Sequence, residues 1–272
     1  MATSTVCVGP TNISVTGLTE TAIGTSWQVP AGARCIKGIR GQVACATVHD
    51  AVLTSVPRVR ITSADVAIEP VEILLEVPGS SPVTHGSGES MWRSTFFPLN
   101  IPVHGGEIIY FYGTQYVTTT TALTMSLEVY FSTEGATGPR YHYKAVAATY
   151  ATTVTAATAH INPTTMRITN AKKITAAYGV VWQTTSTAAV GCIGKFELTS
   201  SDFKTPFGIG WFSEGGSGIL SVGDLAVHVS QVGMGFSGAL DIPVNDTCNI
   251  TENFTNGPTN IVGAYVTGVQ YI

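Results

Sequence analysis

Charge is scarce in this chain of 272 residues: Asp, Glu, Lys and Arg supply 11% of it, against about 25% in ordinary globular domains. The 13 basic and 17 acidic residues leave a net charge of -4 with no basic run, so no field attracts a phosphate backbone and direct nucleic-acid binding is not expected. No stretch reaches the ~20 consecutive apolar residues that span a bilayer. The start, MATSTVCVGPTNISV, has neither the cationic opening nor the apolar core of a secretory signal. The chain therefore reads as soluble and made in the cytosol. The five cysteines, Cys7, Cys35, Cys45, Cys192 and Cys248, are odd in number and widely spaced. They form no disulfide framework and no zinc cluster, and are expected as buried free thiols. Helical periodicity is also missing from nearly the whole chain.

What is present is alternation. Leu123, Met125, Leu127, Val129 and Phe131 fall on one face of an extended segment and Thr124, Ser126, Glu128 and Tyr130 on the other, the pattern of a half-buried strand. Similar runs at 22–29, 34–48, 58–62, 66–77, 106–112, 174–182, 190–198, 206–212, 225–232 and 260–272 are separated by PAGA, PGSSP, HGGE, SEGGSG and NGP. The 29 glycines and 13 prolines lie mostly between these runs, as short strands joined by turns require. Hydrophobic residues reach 44%, which excludes disorder. With Thr, Ser, Gly and Ala in place of charge, the surface repels its own copies little.

The chain also repeats itself. LNIPV at 99–103 returns as LDIPV at 240–244, and the spacing from each to a strand-final tyrosine, Tyr130 or Tyr271, is the same. Upstream, Trp27-Gln28 recurs as Trp182-Gln183, Cys35-Ile36 as Cys192-Ile193 and Pro10-Thr11 as Pro163-Thr164. The gapless alignment sets outward Thr124, Ser126 and Glu128 against Tyr265, Thr267 and Val269, a conflict that a one-residue slip or bulge would remove. Each copy holds about eight short strands, the size of a two-sheet sandwich. The expected fold is all-β, two tandem eight-stranded antiparallel jelly-roll sandwiches over 1–131 and 162–272, with 132–161 as connector. Trp27 and Trp182 are expected as equivalent core residues.

In its paired units, in LNIPV and LDIPV followed by turns, and in the strand-rich end of each copy, the chain resembles the double jelly-roll major capsid proteins of tailless icosahedral viruses of bacteria and archaea. The resemblance covers almost the whole chain and lies in architecture. It implies a homotrimer whose six upright sandwiches form a pseudo-hexagonal block, tiling of such blocks into a closed shell, loops forming an outer crown, and neighbouring copies and other virion proteins as partners. Family members often touch an internal membrane through a basic N-terminal segment. Residues 1–8 carry no charged side chain, so that contact is unsupported.

Searches for chemistry end in structural readings, and the sequence assigns no catalytic, cofactor-binding or metal-binding residue. GFSGA at 235–239 and GGSGI at 215–219 both miss the last glycine of a nucleophile elbow. His49, His85, His104, His142, His160 and His228 have no paired metal-ligand spacing. Glu69, Glu72 and Glu76 are the one dense acidic set. Pro70 interrupts them and Glu69 points away, so they are expected as solvated charges on a strand edge. Asp241 to Asn253 reads as a polar loop without calcium-site spacing, and its sequons at Asn245, Asn249 and Asn253, like that at Asn12, matter only in a glycosylating route. The alternatives to a shell protein are a carbohydrate-binding sandwich using Trp92, Trp211 or Tyr141, and a surface or attachment subunit.

Overall fold

The computed structural model describes residues 3–14, 19–45, 57–63, 71–75, 90–94, 96–115, 123–149, 159–161, 166–168, 173–185, 192–199, 207–213, 225–232, 242–243, 247–256 and 262–272. Two compact units divide at Tyr143 and Lys144. Among the described residues every regular element is a strand, and every pairing whose register is described is antiparallel.

The first unit contains β1 (Thr3–Ile13), β2 (Thr21–Ala22), β3 (Trp27–Gln28), β4 (Cys35–Cys45), β5 (Pro57–Ser63), β6 (Val71–Leu74), β7 (Ser90–Arg93), β8 (Phe97–Pro102), β9 (Ile108–Gln115) and β10 (Leu123–Ser132). One sheet runs β1-β10-β4-β7 with β8 also on β4, and the other runs β2-β9-β5-β6 with β3 also on β9. The alternation read in 123–131 now has a partner surface. Met125, Leu127 and Val129 are fully enclosed and Phe131 is buried, while Thr124, Ser126 and Tyr130 stay half-exposed. Glu128 breaks the pattern, being buried on the outward side. Val59 and Ile61 of β5, Val71 and Ile73 of β6, Ile109 and Phe111 of β9, and Phe97, Leu99 and Ile101 of β8 are buried with them. Each such side chain contributes about 1.5–3 kcal/mol, so the apolar rows hold the unit and polar contacts on its faces only adjust it. Gly41 of β4 makes room for this packing: a Cβ there would lie 2.4 Å from Leu75 Cδ1.

β11 (His142–Thr149) starts two residues before the division, and the rest of it lies in the second unit with β12 (Ala159–Ile161), β13 (Met166–Arg167), β14 (Lys173–Thr185), β15 (Cys192–Thr199), β16 (Phe207–Ser213), β17 (Leu225–Val232), β18 (Ile242–Pro243), β19 (Thr247–Asn256) and β20 (Val262–Tyr271). The sheets of this unit run β11-β20-β14-β17 with β18 on β14, and β12-β19-β15-β16 with β13 on β19. Counted from the first strand of each unit, the two strand orders are the same. Both β11 and β12 arise from the 132–161 stretch read as a connector.

Pairing registers decide which repeated residues are equivalent. Ile101 and Pro102 of LNIPV face Ile36 and Cys35, and Ile242 and Pro243 of LDIPV face Ile174 and Lys173. Those two motifs are counterparts. Phe131 also faces Ile36 while Tyr271 faces Ile174, so the counterpart of Tyr271 is Phe131 and the alignment slips by one residue from Tyr130. Both are buried. The Trp-Gln and Cys-Ile anchors do not correspond. Trp27 is half-buried in β3, one of the two short strands opposite β9, whereas Trp182 lies within β14. Cys35 opens β4 and Cys192 opens β15, strands at different places in the order. Pro10 lies in β1, and 163–164 fall outside the described residues.

Two local readings also change. The run at 22–29 is two short strands with Gly24, at φ 67°, between them. Thr247–Asn256, its first part read as polar loop, is a strand paired to β15 over 249–256, so Asn249, Glu252 and Asn253 are held in a ladder. Asp241, Asn245 and Asp246 lie outside the described residues. Gly208 and Gly210, within the run at 206–212, sit mid-strand in β16 opposite Glu197 and Lys195.

Candidate functional surface

Among the described residues of the first unit, two groups of charged side chains lie on the outward faces of its two sheets. On the face of β5, β6 and β9, the alternation of PRVRI turns Val59 and Ile61 inward and Arg58 and Arg60 outward. Glu20, just before β2, reaches both arginines. Its Oε1 accepts from Arg60 Nε at 2.7 Å and Arg58 Nη2 at 3.1 Å, and its Oε2 accepts from Arg60 Nη2 at 2.7 Å. Arg58 Nη1 lies 3.5 Å from Glu72 Oε1 of β6. Arg60 also stands 4.5 Å above the ring of Tyr112, its neighbour across the sheet. The hydrogen bond from Arg60 holds the Glu20 carboxyl below its ordinary range, against the opposing effect of burial, with the nearby charges of Arg60 and Arg58 adding to it. Glu72 was expected as a solvated edge charge. β6 does end its sheet among the described strands, but the residue is 8% exposed and ion-paired. Glu69 and Glu76 lie outside the described residues.

The opposite face centres on Glu128. Its Oε1 accepts from Gln42 Nε2 at 2.7 Å and its Oε2 from the Tyr130 hydroxyl at 2.7 Å, while Ser126 donates to Gln42 Oε1 at 3.1 Å. Phe96 meets Tyr130 edge-on, with centroids 5.3 Å apart, and Arg40 lies 5.9 Å from the same ring. Gly38 admits Phe96 to the sheet surface: a Cβ there would be 2.4 Å from the ring. Two faces of a charge-poor protein thus carry Arg, Tyr and Glu in ordered contact. Charges already paired within their own sheet need less new compensation when a second protein covers them.

The remaining candidates separate. Cys35 is buried and burial pushes its thiol up, but Cys7 is exposed on β1 and corrects the expectation of buried thiols. The side chains of Cys45, Cys192 and Cys248 are outside the description. His104 is exposed in the HGGE turn, where its backbone N donates to Glu107 Oε2 at 3.1 Å. Asn12 is exposed on β1 and accepts from Thr124 Oγ1 at 2.8 Å. Tyr141 is half-buried, and the side chains of Trp92 and Trp211 are not among those described. Among the described residues, no group of three His, Cys, Asp or Glu gathers where one ion could be held.

No family model and no curated protein matches the sequence. Solved structures do align. A chain of the Sputnik virophage structure aligns over 98% of this protein and 85% of its own length at 7% identity and a TM-score of 0.37. The major capsid protein P2 of bacteriophage PM2 aligns over 100% and 98% at 8% identity and 0.37. A chain of the infectious bursal disease virus Gx strain aligns over 99% and 70% at 11% identity and 0.31. At scores this low, the fold assignment rests on the strand order of the chain itself.

Proposed function

We propose that this protein is a viral major capsid protein: a double jelly roll that associates as pseudo-hexameric trimers and tiles an icosahedral shell. The observation that carries the reading is the strand order common to both units, in which the first strand lies beside the last and the third follows the last within one sheet. An eight-stranded jelly roll has that order, with the short pairs β2 and β3, β7 and β8, β12 and β13, and β17 and β18 each counted as one interrupted strand. Two such sandwiches on one chain halve the number of pieces a shell must place.

The outward faces of the first unit support the same reading. Arg and Tyr are the residues that recur in buried protein contacts, and here they are already held by Glu20 and Glu128. The role is structural, with no catalytic residue assigned. Its place is the virion after synthesis in the host cytoplasm, with copies of itself as its main partners and no direct contact with nucleic acid expected. Native mass spectrometry and negative-stain microscopy of the purified protein over rising concentration test this. Trimers or closed particles are expected; a protein that stays monomeric at every concentration sinks the proposal.

A further inference from the structure

Asn100 occupies the middle of β8 with a φ of 55°, the left-handed region that Asn tolerates better than most non-glycine residues. Leu99 and Ile101 on either side are wholly buried, and Asn100 between them is buried too. Its Nδ2 lies 2.9, 3.1 and 3.0 Å from the backbone oxygens of Thr137, Gly138 and Pro139, three consecutive carbonyls of the segment that leaves β10. Its Oδ1 accepts from the thiol of Cys35 at 3.4 Å, which orients the amide so that its N–H groups face that row.

The segment itself is built to open. Residues 133–139 are all exposed, so lifting them off the unit removes no apolar surface from the core. Beyond them the chain is held again: Tyr141 N donates to Leu99 O at 2.9 Å, the Tyr143 hydroxyl donates to Pro98 O at 2.8 Å, and the Tyr143 ring packs edge-on against Phe97 at 5.8 Å. Those contacts lay the chain along the edge of β8. We propose that Asn100 is a latch, whose amide ties the exit segment 133–140, exposed over 133–139, to the first unit and whose release frees that segment while both sheets stay folded. The counterpart of Asn100 in LDIPV is Asp241, which when ionised has no proton to donate, so the latch chemistry belongs to the first motif.

The test uses the full-length chain and two variants, followed by peptide-resolved hydrogen exchange and by tryptic cleavage after Arg140. Asn100→Gly keeps the left-handed backbone and removes the amide. Asn100→Asp keeps the shape but turns a carboxylate toward three carbonyl oxygens. At neutral pH both variants should raise cleavage after Arg140 and exchange at Tyr141 by about tenfold or more, the loss expected for a hydrogen-bonded amide, with amides in β4 and β10 unchanged. Acidification through the carboxyl range, near pH ~4, protonates the Asp and restores one donor. Exchange at Tyr141 in that variant, corrected for the intrinsic rate, should then fall back toward wild type, while Asn100→Gly shows no such recovery. Unchanged cleavage and exchange in both variants overturns the latch. So does opening of β4 and β10 in step with the segment, or an Asp variant without acid recovery. The readout does not depend on assembly, so the latch and the capsid proposal can fail separately.

Discussion

Replacing Glu20 with Gln removes a carboxylate that accepts hydrogen bonds from both Arg58 and Arg60. Glu20 accepts two bonds from Arg60, at 2.7 Å each, and one from Arg58 at 3.1 Å. Gln keeps a single acceptor oxygen and sets an amide against a guanidinium, leaving Glu72 as the remaining acid of the group among the described residues. The side chains are partly exposed, 31% for Glu20, 23% for Arg60 and 15% for Arg58. Solvent screening therefore keeps each contact within the modest range of surface pairs, with the bidentate geometry at its upper end. The expected loss is about 1 kcal/mol at neutral pH, or roughly fivefold faster exchange of amides in β5 and β9. The pH dependence follows from the sign of the shift. Because the folded carboxyl is held below its ordinary value of 4.5, chiefly by the hydrogen bond from Arg60, its stabilisation is complete above that value and disappears as pH falls through the lower folded one. Hydrogen exchange of wild type and Glu20→Gln, each corrected for intrinsic rates at pH 7 and pH 3, should differ at pH 7 and converge in acid. An equal difference at both, or none at pH 7, refutes the pairing.

Gly41→Ala places a Cβ 2.4 Å from Leu75 Cδ1 and should cost about 1–3 kcal/mol in urea unfolding of the first unit. Leu75→Ala in the same chain should recover part of that loss, because the two sites share one space. Tyr130→Phe removes the hydroxyl that donates to Glu128 at 2.7 Å; a loss of about 1.5–3 kcal/mol is expected, largely absent once Glu128 is already Gln. Iodoacetamide followed by peptide mass spectrometry should label exposed Cys7 at once and buried Cys35 only on unfolding, since burial also keeps the latter protonated.

Much of the local pattern was legible. Alternation in 125–131 named the inward row correctly because a strand needs nothing beyond its own two-residue period to separate its faces. The return of LNIPV as LDIPV located true counterparts, since both form the short strand opposite the opening of a long one. The pairing of Trp27 with Trp182 misled because a two-residue match carries no information about which strand holds it. β1 and β19 were missed, the first through Pro10 and a bulge between Val8 and Thr11, the second through its run of Asn, Thr and Glu. The outward placement of Arg58 and Arg60 could have been read from PRVRI, but their partner could not. Glu20 lies 38 and 40 residues away and belongs to no motif.

By itself, then, the sequence determined the all-β class, the apolar and polar faces of its clearest strands and the scarcity of charge, because these depend on short-range periodicity and composition. Only the tertiary structure decided which strand lies beside which, that Glu72 and Glu128 are buried with partners, and that Asn100 meets the carbonyls of 137–139. Those outcomes depend on register, and a shift of one residue along a strand turns every side chain to the other face.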